Sequence, residues 1–114
     1  MAATNETWRK YELTDITAIH EGLHRTPVVR IRACRDIPAQ NVKAGDLGGW
    51  VQSEANLSHA GDAWIADDAK AFEEAVVAGN ALVSGRARVC TYAVVAGEAW
   101  VRDSALVNGT AVVT

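Results

Sequence analysis

The chain has little of what disulfide-bonded, zinc-binding or membrane proteins require. Its 114 residues include only two cysteines, Cys34 and Cys90, without a CxxC spacing, so neither a disulfide framework nor a zinc site is expected. No apolar run approaches the roughly 18 residues that span a bilayer, and the polar start MAATNETWRK lacks the apolar stretch of a secretory signal. These absences predict a cytoplasmic protein. The length of 114 residues is enough for one domain, and the 49% hydrophobic content predicts a buried core.

Positive charge is scarce in the larger part of the chain. Residues 1–44 contain seven Lys and Arg against five Asp and Glu, whereas residues 45–114 contain four against nine. The net charge of −3 therefore combines a basic segment with an acidic one. Direct nucleic-acid binding by the larger segment is not expected, because phosphate binding needs clustered basic side chains.

A strict six-residue period dominates the second half of the chain. Alanine recurs at positions 63, 69, 75, 81, 87, 93, 99, 105 and 111. Two positions later come Ile65, Ala71, Val77, Val83, Val89, Val95, Val101, Val107 and Val113. Residues two apart lie on the same side of a strand, and the Gly, Asp and Asn residues before each alanine suit bends. Each hexad is therefore predicted to be a short strand followed by a corner.

Three such hexads close a triangular coil of 18 residues, and stacked coils bury one continuous core. The period predicts an all-β protein, a parallel β-helix of about three coils over residues 53–114. Residues 1–52 are predicted to form an N-terminal β-hairpin and cap, in which Trp50 and Val51 plug the end of the helix.

Two stretches of the sequence resemble known proteins. The blocks Val77–Leu82 and Val95–Trp100 resemble the hexapeptide repeat of left-handed β-helices, and the left hand is implied by that resemblance. The segment KAGDLGGWVQSEANLS, residues 43–58, resembles the N-terminal cap of a hexapeptide-repeat family common in enterobacteria and their phages. The resemblance implies the fold and a phage or prophage setting, with no established reaction. Members of that family often carry more repeats than this chain.

Residues 18 positions apart lie above one another in stacked triangular coils, which together form a three-sided prism. The outward positions therefore fall on three faces. The first is a valine face, the second is rich in tryptophan, and the third is expected to be ordinarily solvated. Their residues are Val76, Val94 and Val112 with Ala78, Ala96 and Thr114; Trp64, Leu82 and Trp100 with Ala66, Ser84 and Arg102; and Lys70, Arg88 and Leu106 with Phe72, Cys90 and Asn108. Contiguous apolar faces usually mark contacts, so the first two faces are predicted interfaces.

The hairpin is expected to fold back over one of these two apolar faces, which leaves the other for a partner. The last coil, with Val113, is expected to present an unpaired edge. We therefore predict a homodimer that forms through the valine face, the C-terminal coil or both. A shortened natural chain and a frayed monomeric end are the alternatives.

Candidate chemistry is sparse. Hexapeptide helices are best known from acyltransferases, for which the resemblance would imply trimers, an interface histidine and an acyl donor. His59 falls in the inward register, so it is expected to be hydrogen-bonded or end-capping. His20 and His24 flank a turn without a third metal ligand, and Cys90 beside Arg88 has no histidine to activate it. No catalytic residue, cofactor or metal ligand is assigned.

Charged contacts are the remaining candidates. Arg30 and Arg32 lie on one strand face, which is either solvated or suited to an acidic partner. Five acids resemble a DNA-mimicking cluster, but they occupy three successive corners and so encircle the prism. Asp67 and Asp103 share a corner column and could meet a basic patch. The cluster is Asp62, Asp67, Asp68, Glu73 and Glu74.

The sequence therefore favours a self-associating, non-catalytic interaction protein. With the phage resemblance, it is expected to inhibit a host complex, including host defence machinery. A structural self-assembly module and a degenerate acyltransferase are the alternatives.

Overall fold

A long antiparallel hairpin precedes the repeat. The structure is a computed structural model that describes residues 8–22 and 24–114. Strands β1 (Tyr11–Glu21) and β2 (Arg25–Ala33) form the hairpin, and β2 pairs antiparallel with β3 (Leu47–Val51). Two short 3-10 helices, Pro38–Gln40 and Glu54–Asn56, lie before and after β3. The predicted N-terminal hairpin is confirmed.

Nine two-residue strands follow at intervals of six residues, and each pairs in parallel with the strand 18 residues away. They are β4 (Trp64–Ile65), β5 (Lys70–Ala71), β6 (Val76–Val77), β7 (Leu82–Val83), β8 (Arg88–Val89), β9 (Val94–Val95), β10 (Trp100–Val101), β11 (Leu106–Val107) and β12 (Val112–Val113). The sheets are β4-β7-β10, β6-β9-β12 and β1-β2-β3-β5-β8-β11. The predicted stack of parallel coils is confirmed, as a β-solenoid of about four turns.

The additional turn begins upstream of the visible repeat. Val51 of β3 pairs in parallel with Ala71, and Leu57 forms a parallel bridge with Val77. Val51 and Leu57 are six residues apart and both are buried, as in the later hexads. Leu57 and Ile65 are eight residues apart, so two additional residues interrupt the six-residue period between the first coil and the later hexads. Because β3 pairs with both the hairpin and the solenoid, the division of the chain after residue 52 stays a prediction.

The core consists of the two predicted columns. The side chains of Val77, Val83, Val89 and Val95 are fully buried, together with the alanines that precede them. The corners between strands take positive φ, for example 57° at Asp67 and 64° at Gly79. At Gly79 a Cβ atom would lie 2.8 Å from the backbone nitrogen of Gly97, so this corner has no room for a side chain.

Acidic side chains at two corners connect successive coils. Asp67 Oδ2 accepts a hydrogen bond from the backbone N–H of Gly85 at 2.9 Å. Glu73 Oε1 accepts one from the N–H of Thr91, also at 2.9 Å. A carboxylate that binds a backbone N–H satisfies a donor that the coil leaves unpaired. These two acids therefore have a structural role between coils.

The N-terminal end of the core is closed by Lys10, which precedes β1, and by Tyr11, the first residue of β1. Tyr11 Oη donates its one hydrogen to the carbonyl oxygen of Leu57 at 2.6 Å and lies 3.0 Å from that of Glu54. The predicted plug by Trp50 is wrong, whereas Val51 is buried. The Trp50 ring is half-buried under the Arg30 guanidinium, 4.4 Å from its centroid, because outward positions of β3 continue the outer side of the sheet.

The stability of the protein is expected to rise between pH 8 and 10. Lys10 is fully buried, and its Nζ donates to the carbonyl of Ala63 at 2.6 Å. Burial, and then the charge of Arg35, lower the pKa of Lys10 from 10.5 to about 8, against the opposing effect of Asp62. Above pH 8 the unfolded chain therefore binds more protons than the folded chain, so the free energy of unfolding increases by about 2 kcal/mol up to pH 10.

Above pH 10 the trend reverses, because burial raises the pKa of Tyr11 and only the unfolded chain loses that phenol proton. Urea unfolding at successive pH values tests this profile, with Lys10→Met as the variant that lacks the amine. The rise between pH 8 and 10 should be absent in K10M. An equal rise in both proteins would show that Lys10 is not its source.

Candidate functional site

The tryptophan-rich face is smaller than predicted. Trp64 is 1% exposed, so the prediction that it lies on the surface is wrong. The physical reason is its position in an early coil, beside β3. A Cβ atom at Gly48 would lie 2.6 Å from Trp64 Cζ2 and 2.8 Å from Ile31 Cγ1, which shows how closely the hairpin and cap cover this ring. We use the name Trp100 face for the outward residues of the two coils that follow Trp64 and Ala66, which are Leu82, Ser84, Trp100 and Arg102.

Trp100 is an exposed ring held in one orientation. Its side chain is 58% exposed in a coil that β3 does not reach. The indole Nε1–H donates to Ser84 Oγ at 2.9 Å, and the Arg102 guanidinium lies 4.6 Å from the ring centroid. A hydrogen bond at the edge and a cation over the face fix the indole before any partner binds.

A shallow cleft adjoins the Trp100 ring. It has a volume of about 290 Å³ and is bordered by Gln40, Leu82 and Glu98 among others. Gln40 reaches it from the 3-10 helix Pro38–Gln40, and its Nε2 donates to the carbonyls of Asp62 (3.1 Å) and Asn80 (3.0 Å). The Trp100 face therefore combines an apolar ring, an aliphatic side chain and nearby charges of both signs.

The valine face has the outward residues that the period predicts. Val76 and Val94 are half-buried, Val112 is 67% exposed, and the three lie in register on β6, β9 and β12. Val113 is half-buried against the core. Their roles as contacts stay predictions.

The third face is not ordinarily solvated, in contrast to the prediction. The hairpin continues its sheet through β3, and the tip of the hairpin meets this face at Phe72. The His20 ring lies 4.7 Å from the Phe72 ring, and Phe72 is only 6% exposed. The hairpin was predicted to cover one of the two apolar faces. Instead, the hairpin and cap cover Trp64 on one face and Phe72 on the third face.

A groove separates the hairpin tip from the strands below it, and we call it the hairpin groove. Its volume is about 550 Å³. Its lining includes His20, Phe72, Arg88, Cys90, Leu106 and Asn108. The sequence analysis missed this groove. Phe72, the chain's one phenylalanine, shares this face with Leu106, and these two large apolar side chains were the available signal.

The two predicted arginine contacts are engaged within the chain. Arg30 donates to Asp68 Oδ1 and to the carbonyl of Gly48, both at 2.9 Å. The hydrogen bond from Arg30 is the main reason that the pKa of Asp68 is lowered. Arg32 pairs with Glu12 at 2.9 Å.

The predicted acidic contacts are also divided by their surroundings. Asp67 and Glu73 bind backbone N–H groups of the next coil, and Asp68 is paired with Arg30. Glu74 and Asp103 are exposed, the latter beside Arg102 with 3.9 Å between Oδ2 and Nε. A continuous acidic surface that mimics DNA is therefore not supported by this geometry.

His59 has the hydrogen-bonded role that its inward register predicts. Its Nδ1 accepts the backbone N–H of Lys10 at 3.1 Å, which places the ring hydrogen of the neutral form on Nε2. That nitrogen lies 2.7 Å from Glu54 Oε1, and the ring stacks on Tyr11 with 4.2 Å between centroids. Both nitrogens are therefore used near the N-terminal end of the core.

Neither a metal cluster nor a membrane helix is found in residues 8–22 and 24–114. No group of three or more His, Cys, Asp or Glu side chains there could hold a metal ion. Within the same residues, no helix has the length and apolar character needed to cross a membrane. No protein-family model matches the chain, and no curated protein matches it in sequence.

Proposed function

We propose that the chain is a non-catalytic protein-binding module whose principal contact surface is the Trp100 face. The observation that carries the proposal is the exposed Trp100 ring, which Ser84 and Arg102 fix from two sides. Tryptophan and arginine are enriched among the side chains that dominate binding energy at protein interfaces. A ring that is already oriented loses little conformational freedom when a partner covers it.

The biological setting that we propose comes from the resemblance of residues 43–58 to a phage-associated cap. In that setting the module acts in the host cytoplasm as an inhibitor of a host complex, including defence machinery against phage. The mixed charges around Trp100, from Glu98, Arg102 and Asp103, suit a protein partner with complementary polar groups at the rim of the contact.

Self-association through the valine face is the second part of the proposal. Val76, Val94 and Val112 form a ridge along the solenoid, and Ala78 and Ala96 form a furrow beside it. A two-fold axis parallel to the solenoid would place the ridge of one copy in the furrow of the other. This self-complementary shape supports a homodimer and leaves the Trp100 face available.

Substitution of Trp100 by glutamate is expected to abolish capture of the partner. Tagged wild-type protein should recover one defined complex from a bacterial host lysate, and W100E should reduce that recovery at least tenfold, the loss expected of a central interface residue. Tyr92→Glu is the matched control, because Tyr92 is a comparably exposed aromatic residue away from the Trp100 face.

Thermal unfolding followed by circular dichroism establishes that both variants are folded. Recovery that is unchanged in W100E, or lost equally in both variants, would contradict the proposed surface.

A further inference from the structure

The hairpin groove has the size and lining of a small-molecule site. A volume of about 550 Å³ falls within the range of ligand pockets. Leu106 provides most of the exposed apolar surface, since Phe72 is largely covered by His20, whereas Arg88, Cys90 and Asn108 provide polar atoms. The groove has a rigid base, because these residues project from the paired strands β5, β8 and β11 or directly follow them.

The groove contains a cation, the guanidinium of Arg88. Arg88 is half-buried, yet among residues 8–22 and 24–114 its guanidinium makes no hydrogen bond or ion pair. Arg30 and Arg32, by contrast, each pair with a carboxylate. A partly desolvated guanidinium with its five donors available is suited to an anion from outside the chain.

The acids at the rim restrict which anion can bind. Glu73 lines the groove, but its carboxylate already accepts the N–H of Thr91. Glu74 also lines it and is exposed. Both acids repel a doubly charged phosphate more strongly than a singly charged carboxylate, and a carboxylate also matches the planar fork of one guanidinium.

Two cations, Lys70 and Arg88, act on the His20 ring at the roof of the groove. Burial lowers the pKa of His20, and the charges of Lys70 and Arg88 lower it further. Glu73 and Glu21 act in the opposite direction but more weakly.

We propose that the hairpin groove binds a small, flat, apolar molecule that carries one carboxylate. The carboxylate binds the Arg88 guanidinium, and the apolar part lies on the exposed Leu106 side chain, beside the His20 ring that already covers Phe72. This site is separate from the Trp100 face and does not depend on the proposed protein partner.

The probe for this proposal is 1-naphthoate, with 1-naphthalenemethanol as the neutral compound of the same ring. In a titration followed by nuclear magnetic resonance, naphthoate should shift the amide signals of Cys90, Leu106 and Asn108 and the ring signals of His20. It should bind about tenfold more tightly than the neutral compound, as one charge-assisted contact implies.

Arg88→Gln should remove the preference for naphthoate, and Arg88→Lys should retain part of it. Arg102→Gln is the matched control, since Arg102 also lies beside an aromatic ring but outside the groove. Absence of binding at millimolar naphthoate, equal affinity for the two compounds, or shifts centred on Trp100 would each overturn the proposal.

Discussion

Gly49→Ala is expected to lower the free energy of unfolding by about 3 kcal/mol or more, a severe case of overpacking. A Cβ atom at this position would lie 2.5 Å from the carbonyl oxygen of Ala69 and 2.6 Å from Ile65 Cγ2. Neither neighbour can move without a change in the core. The same carbonyl accepts the N–H of Trp50 at 2.9 Å, so the added methyl group would separate β3 from β5.

Gly45→Ala is the control for this prediction. A Cβ atom at Gly45 meets no heavy atom within 4 Å, although its φ of 93° is unfavourable for alanine. We expect G45A to lose about 1 kcal/mol from backbone strain alone. Chemical unfolding followed by circular dichroism measures both variants. Equal losses would mean that close contact between β3 and β5 is not what position 49 requires.

Asn56→Ala is expected to lower the free energy of unfolding by about 3 kcal/mol, because it leaves several partly buried backbone groups without partners. The Asn56 side chain is fully buried, and its oxygen accepts the N–H groups of Gln52 and Ser53, both at 3.0 Å. Its Nδ2 donates to the carbonyls of Glu73 (3.0 Å) and Ala75 (2.8 Å). One amide thus connects the end of β3 to the next coil.

Asn80→Ala removes an amide that also makes hydrogen bonds but is exposed. Asn80 Oδ1 accepts the N–H of Asp62, and its Nδ2 donates to Glu98, both at 3.2 Å. Water can replace these partners, so N80A should lose less than about 1 kcal/mol. Urea unfolding compares the two variants. Similar losses would show that burial of the Asn56 network does not determine its contribution.

The repeat predicts the solenoid because every hexad specifies the same short strand followed by the same corner. Alanine and valine two residues apart must share one side of a strand, and Gly, Asp or Asn must form the corner. The first coil was not predicted, because two additional residues between Leu57 and Ile65 interrupt the six-residue period. Its buried positions, Val51 and Leu57, become evident only when β3 and β5 are seen to pair.

The surface was less predictable than the core. Trp64 and Trp100 occupy the same column, but only Trp64 meets the cap, so identical register gives one buried and one exposed ring. The path of the hairpin depends on its pairing with β3, which is a tertiary contact that no hexad encodes. For the same reason the hairpin groove over Phe72 was not predicted.

Photo-crosslinking in bacterial host cells tests the proposed contact surface most directly. Benzoylphenylalanine at position 82 places the reactive group on the Trp100 face, and the same residue at positions 94 and 108 samples the valine face and the hairpin side. The account predicts one host protein crosslinked from position 82 and lost in W100E, with a second copy of the chain crosslinked from position 94. The absence of a host protein at position 82, or the same host proteins from all three positions, would contradict it.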